Sequence, residues 1–469
     1  MLSAVAHDAA ADIGLPVRFL PNMPLIHFYW LLVSSWDNVQ AMTIFPGSRS
    51  LGSQGSRNSF GQAAASYGVP SYPTFRRRYG QVWGKYLVIR TASQHAQCQT
   101  CWELQQKINQ RGSMTDKLKA VRALGQHYAD QYADRCLYWA LRHASRMRDN
   151  VIVIIIDSMD KAKFAWPRFP WARMPKGMDG ISRPRLSLTA AIAHGYITNF
   201  FLSSERVNHG PDCFMEQVFT TVQDVQELCQ ERGWEMPEHL VIQADNTVAQ
   251  CKNTWANLGM AYLVATRKFK TVTMNYLLVG HTHEDIDHLF GIIVNILIMK
   301  ISFETPAEML AHILERMTPR IQRRHERCKG YMLRAVRDWS NWLFPIQKTL
   351  FNGFGNRGGI EAAHSFAYVS RCEMSEAMQR ALEAGQGGPG VQGNDDDVLC
   401  IVKAYMRDTT PNQPPLLVLD QSDVMKVATR VPETVVPLHA LSVTEVRNHL
   451  TLASILEDMG MHHAAKGVA

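Results

Sequence analysis

The chain has 469 residues, 46% of them hydrophobic and 19% charged, with a formal net charge of +7. That balance describes a globular chain able to bury a large core in two or three domains, and it excludes intrinsic disorder. Nine cysteines in no regular disulfide pattern, with no cleavable N-terminal signal, point to a reducing compartment, nucleus or cytoplasm. The apolar stretch from Met23 to Val33 is too short to cross a bilayer and contains His27, so no membrane partner is expected.

In chain order, residues 1–72 read as an irregular segment, with Phe45 to Tyr72 rich in Gly, Ser, Ala and Pro. Residues 73–150 read as a small helical module with a Cys/His cluster at its start. There His95-x-x-Cys98-x-x-Cys101 is followed by His127. Cys-x-x-Cys with later histidine suits a four-coordinate structural Zn²⁺. Cys98, Cys101 and His127 are the expected ligands, with His95 fourth and Cys136 or His143 in reserve. The plainer alternatives are two buried thiols or a redox pair, and no βαβ pattern supports the latter.

Residues 151–305 alternate strands and helices. Val151 to Ile156 is a continuous β-branched block, as for a strand buried on both faces. Extended pieces follow at Leu186 to His194 and Tyr196 to Leu202, then a helix from Phe214 to Arg232 ended by Gly233. A strand at Leu240 to Ala244, a helix at Asn253 to Ala265, a strand at Val272 to Val279 and a helix beyond Gly280 complete a mixed α/β layer architecture. Residues 306–345 read as a basic helical region, whose stretch from Arg316 to Arg337 carries Arg316, Arg320, Arg323, Arg324, Arg327 and Lys329 against one acid, Glu326. Dense arginine suits phosphate, because the guanidinium fork matches phosphate oxygens, so DNA is the expected partner. A solvated helix face is the bland reading of the same run. Residues 346–469 read as an irregular region with short strands and a terminal helix. A homo-oligomer is left open.

Three acids stand where the pattern exposes them. Asp157 directly follows the first strand, Asp245 directly follows Leu240–Ala244, and Asp287 lies on the helix after Gly280, with Glu284 a turn earlier. A carboxylate at the end of a buried strand is costly unless paired or bound to a cation. Such a set suits Mg²⁺ or Mn²⁺ and two-ion phosphodiester chemistry, although Asp is common at such ends as a turn or cap residue. Glu284, Asp285 and Asp287 compete for the third place, Asp287 first.

The order strand-Asp157, two strands, helix, strand-Asp245, helix, strand, helix-acid resembles the RNase H-like fold of DDE/D transposases and retroviral-type integrases. Over roughly residues 90–330 the chain also resembles an uncharacterised domain family of plants, protists and animals. That likeness rests on Asp157-Ser-Met-Asp160 with Lys163 and Pro167, on Gln243-Ala-Asp245-Asn246 with Lys252-Asn253, and on Gly280-His-Thr-His-Glu-Asp-Ile-Asp287. The resemblance implies a transposase-derived protein that cleaves or transfers DNA strands with Mg²⁺ or Mn²⁺, Asp157, Asp245 and Asp287 or Glu284 being the catalytic acids. His281 and His283 would orient them or act as base, with a capping or core role as the alternative. Members of that family also resemble this chain in carrying Cys-x-x-Cys and a later His ahead of the first acid. The competing class is a catalytically inactive, domesticated DNA-binding protein. Gly280-His-Thr-His283 alone also resembles the last motif of calcineurin-like metallophosphoesterases, and His-x-His-x-Asp that of metallo-β-lactamases, but neither pattern finds its partner motifs elsewhere in the chain.

Overall fold

In the computed structural model the described residues are 18–20, 72–84, 87–89, 98–159, 165–167, 176–178, 180–245, 247, 249–276, 284–298, 303–346, 363–374, 394–408, 416–427, 432–459 and 461–468. The chain divides into two compact units, residues 1–136 with 278–284, and residues 137–277 with 285–469. No helix among the described residues is long and apolar enough to cross a membrane.

In the first unit β1 (Arg18–Leu20) pairs in parallel with β2 (Leu87–Ile89). Its helices are α1 (Tyr72–Arg78), α2 (Gln99–Asn109) and the longer part of α3 (Met114–Met147). Ala120, Val121, Leu124 and Tyr128 are buried at helical spacing and form the apolar stripe of α3.

The second unit holds a nine-stranded mixed sheet. Its first strands are β3 (Val151–Ser158), β4 (Leu186–Ala193) and β5 (Ile197–Ser204), followed by α4 (Pro211–Arg232), β6 (His239–Ala244), α5 (Thr254–Ala265) and β7 (Thr271–Tyr276). Then come α6 (Asp285–Ile298), α7 (Pro306–Gln322), β8 (Arg327–Leu333) and α8 (Trp339–Leu343). The remainder comprises β9 (Ser365–Ser370), β10 (Val398–Lys403), β11 (Leu416–Leu419), α9 (Gln421–Val427), α10 (Val443–Asp458) and α11 (His462–Val468). The sheet order is β11-β10-β9-β7-β6-β3-β4-β5-β8. Strands β3, β6 and β7 run parallel, β4 is antiparallel to both its neighbours, and β8 runs parallel to β5.

Residues of β3 alternate between two cores. Ile152, Ile154 and Ile156 join the cluster formed with α4 and α5, while Val153 and Ile155 join the one formed with α6, α7 and α10. Burial on both faces is why this strand reads as an unbroken apolar run. Each fully buried isoleucine contributes about 1.5–3 kcal/mol. Helix α4 ends at Gly233, whose φ of 65° is the left-handed cap that sequence reading expects, and α5 starts at Asn253, whose side chain accepts from Ala256 N. Gly195 turns β4 into β5 at φ +80°. A Cβ there would lie 2.7 Å from Arg146 Cα, so the turn and α3 approach only because this residue is glycine.

Two expectations need correction. The 306–345 stretch is not all helix, because Arg327–Leu333 is the edge strand β8. Its alternation explains the difference: Cys328 and Met332 pack into one core, while Tyr331 and Leu333 pack against the other. The short strands of the C-terminal stretch do not form a separate piece either; β9, β10 and β11 extend the same sheet beyond β7. The sheet therefore extends past residue 305 at both edges.

Candidate functional site

Strands β3 and β6 are in parallel register, with Ile156 opposite Ala244. Asp157 and Asp245 follow at the same level, on neighbouring strands roughly 4.8 Å apart. Both line one cleft at the carboxyl end of the sheet, together with Ser158, Thr189, His209 and Cys251. Asp157 Oδ1 accepts from Ser158 N at 2.7 Å, and Asp245 Oδ2 accepts from the Thr247 hydroxyl at 2.6 Å. Cys251 donates to the Asp245 carbonyl at 2.9 Å. Burial, with the charges of Asp245 and Asp157 adding to it, pushes the Cys251 thiol up to about 12. The two strand-end aspartates expected from sequence thus line one cleft.

His209 is the residue sequence reading missed. It lies past β5, which runs in the same direction as β3, so the chain leaves both strands at the same edge. Its place before the helix start at Pro211 depends on strand direction, so the sequence carries no local signal for it.

Of the Gly280–Asp287 motif, His281 and His283 lie outside the described residues. Glu284 is buried and meets Arg135 Nε at 2.8 Å, within the first unit. Asp285 is held in the second. Its Oδ2 is 3.2 Å from Arg142, 3.5 Å from His194 and 3.8 Å from Arg146, and Tyr138 donates to Oδ1 at 3.4 Å. Burial alone would raise the Asp285 carboxyl, but His194, Arg142 and Arg146 outweigh it and hold it below its ordinary value. Asp287 is half-buried on α6 and is not among the residues lining the cleft. Two of the three competing acids are therefore committed to arginines.

His194 is fully buried, and burial first, with Arg146 and Arg142 adding, drives its pKa down to about 3. The folded chain refuses a proton that the unfolded chain accepts near pH 6.5. Stability contributed this way is intact above that pH and is lost as pH falls toward 3. We predict a loss of about 2 kcal/mol between pH 7 and pH 5 from this residue, read as the change in urea midpoint. His194→Asn should flatten that slope; an unchanged slope in the variant would contradict the assignment.

Cys98 Sγ lies 3.4 Å from His127 Nε2, and the ligand atoms of Cys98, Cys101 and His127 all lie within 4.8 Å of one another. A tetrahedral zinc with bonds of about 2.0–2.3 Å needs four ligands roughly 3.5–3.8 Å apart, and this set offers three donors of the right chemistry. Both cysteines are buried. His95 lies outside the described residues. Cys136 and His143 are unsuitable substitutes, because they stand nine and sixteen residues beyond His127 on one helix, or roughly 13 and 24 Å along it. Among the described residues this is the single set of three such side chains gathered so closely; Asp157, Asp245 and Asp287 do not form a second.

The basic run divides in two. Arg316, Arg320, Arg323 and Arg324 are exposed on and just past α7. Arg327 instead forms a fork with Glu231, and Lys329 pairs with Asp224 and Glu227. These last two cations fasten β8 to α4, so the basic face is narrower than the sequence suggests. Glu326, the one acid in the run, is buried and accepts from Gly195 N at 3.0 Å.

Residues 176–357 match the model of a family described as Domain of unknown function (DUF7869). No curated protein matches the chain. A solved structure that aligns is that of the N. crassa QDE-2 AGO MID-PIWI domains, at 11% identity over 64% of this chain and 80% of that one, with a TM-score of 0.16. So low a score says nothing about the fold.

Proposed function

We propose that the second unit is an RNase H-like domain carrying out metal-dependent phosphodiester cleavage or strand transfer on DNA, in a transposase-derived protein. The observation that carries this is the shared cleft of Asp157 and Asp245 at the ends of adjacent parallel strands. Supporting it, the five strands β3 to β7 lie in the order third, second, first, fourth, fifth, with the second alone reversed. The chain order of these strands and helices is the one on which the sequence resemblance rests.

In this reading Asp157 and Asp245 hold Mg²⁺ or Mn²⁺, whose chemistry when bound is to activate a hydroxyl or water and stabilise the leaving oxygen. Hard cations take carboxylate oxygens and keep open positions for water and phosphate. Asp287, on the helix after Gly280, is the third acid of this reading, as the sequence resemblance implies. The Cys98, Cys101 and His127 set holds Zn²⁺ in the first unit, with His95 as fourth ligand, in a structural role.

The phosphate backbone is held by Arg316, Arg320, Arg323 and Arg324. Arg316→Ala and Arg320→Ala together should lower the slope of log affinity against log salt by about 2, roughly one for each phosphate left without its arginine. Fluorescence anisotropy with duplex DNA at several salt concentrations measures this, and an unchanged slope would show that the arginine face does not hold DNA. Cleavage of DNA with Mg²⁺ or Mn²⁺, compared between wild type and Asp245→Asn, tests the function itself. One observation favours a second reading, DNA binding without cleavage: Asp287 does not gather with the strand-end aspartates as a preformed triad. Wild-type protein that binds DNA yet never cuts it would select that reading.

A further inference from the structure

The first unit carries a concentration of charge that the proposed activity does not use. Between Asp37 and Glu103 the sequence has seven arginines and lysines and no acid, an excess equal to that of the whole chain, +7. Three of them stand together on α1 as Arg76, Arg77 and Arg78, all exposed. Phe75 is the buried anchor of that helix. The helix runs on into a π-helical turn, Tyr79–Trp83, through Arg78 at φ −66° and ψ −40°. Tyr72 with Arg76, and Pro73 with Arg77, lie one turn apart on the same side of α1. Both pairs line one open groove, which Gly80 and Gln81 of the next turn complete. A Cβ on Gly80 would meet nothing within 4 Å, so the groove faces open space there. Among the described residues no carboxylate pairs with Arg76, Arg77 or Arg78.

An arginine cluster without neighbouring acids concentrates positive potential, and its complement is a row of phosphates. Nucleic acid and an anionic lipid surface both offer one. A helix that settles on lipid buries an apolar face there, and the exposed side chains from Pro73 to Gln81 include no large apolar one. Tyr72 and Gln81 beside the arginines suit nucleic acid instead. A ring can lie against a sugar or base, and an amide can bond a phosphate or a base edge. We infer that α1 and its π-helical turn form a nucleic-acid contact of the first unit, with Arg76 and Arg77 on two backbone phosphates and Tyr72 and Gln81 beside them. This contact is additional to the α7 arginines and does not depend on cleavage.

The test is fluorescence anisotropy of the full chain with labelled duplex DNA at several salt concentrations, with melting temperature recorded for every variant. Arg76→Ala combined with Arg77→Ala should lower the slope of log affinity against log salt by about 2, close to one for each phosphate released. Arg76→Lys combined with Arg77→Lys keeps both charges and should keep the wild-type slope to within about 0.5. Both double variants should melt with wild type, because the substituted side chains are exposed. An unchanged slope in the alanine variant, or an equal fall in the alanine and lysine variants, would overturn the inference. A slope that falls only together with the melting temperature would mark these arginines as structural and overturn it too. Tighter binding of wild type to phosphatidylserine vesicles than to DNA at the same salt would make the surface a lipid contact instead. The expected slopes, in a chain that never cuts DNA, would leave this inference standing and sink the proposed activity. Unchanged slopes in a chain that does cut DNA would do the reverse.

Discussion

A strong zinc chelator added to the purified chain is expected to unfold the helical unit built around Cys98, Cys101 and His127. Cys98 occupies the N-cap of α2 with no side-chain cap of its own, Cys101 lies in the first turn, and His127 comes from α3. One ion would therefore link the start of one helix to the middle of another. The apolar core described for these helices is small, chiefly Ile108, Ala120, Val121, Leu124 and Tyr128. Structural zinc supplies about 10–16 kcal/mol of apparent binding energy at neutral pH, and that energy is folding energy where no site exists in the unfolded chain. Cys98→Ser should lose the metal and abolish hydrogen-exchange protection in α2 while the nine-stranded sheet keeps its own. Purified protein without zinc, together with a Cys98→Ser variant of unchanged melting temperature, would remove the zinc site.

The second large effect concerns the aspartate pair. Asp157→Asn and Asp245→Asn should each lower DNA cleavage by about 10²–10³-fold, the scale on which one preorganised electrostatic group matters. Asn keeps the size and hydrogen-bonding reach of Asp, so Thr247 and Ser158 retain partners and the fold persists. The double variant should be hardly worse than either single one, because groups that act as a unit are not additive. Losses that multiply, giving about 10⁴-fold or more, would mean the two carboxylates act separately. Single-turnover rates at saturating Mg²⁺ distinguish these outcomes.

Much of the second unit is legible in the sequence, for physical reasons. Val151–Ile156 is buried on both faces, so its pattern carries no polar interruption, and β6 shows the same feature around Val241 and Ile242. The two strand-end aspartates follow from those strands, since a carboxylate after a run of buried apolar residues must emerge at the sheet edge. Strand β8 was hidden because its polar face is charged: Arg327 and Lys329 look like surface cations until Glu231 and Asp224 on α4 are seen opposite them. His209 was hidden because its place depends on strand direction, which no local pattern records. The acids of the Gly280–Asp287 motif were alike in sequence, and only their tertiary partners separate them. Arg135 takes Glu284, while Arg142, Arg146, Tyr138 and His194 surround Asp285.

Whether this chain processes DNA is decided by incubating it with labelled single- and double-stranded DNA in Mg²⁺, in Mn²⁺ or in EDTA, with Asp245→Asn beside the wild type. Cut or joined strands are expected from wild type with either metal, none in EDTA, and almost none from the variant. Equal product from wild type and Asp245→Asn, or no product from wild type with either metal, would contradict the proposed activity.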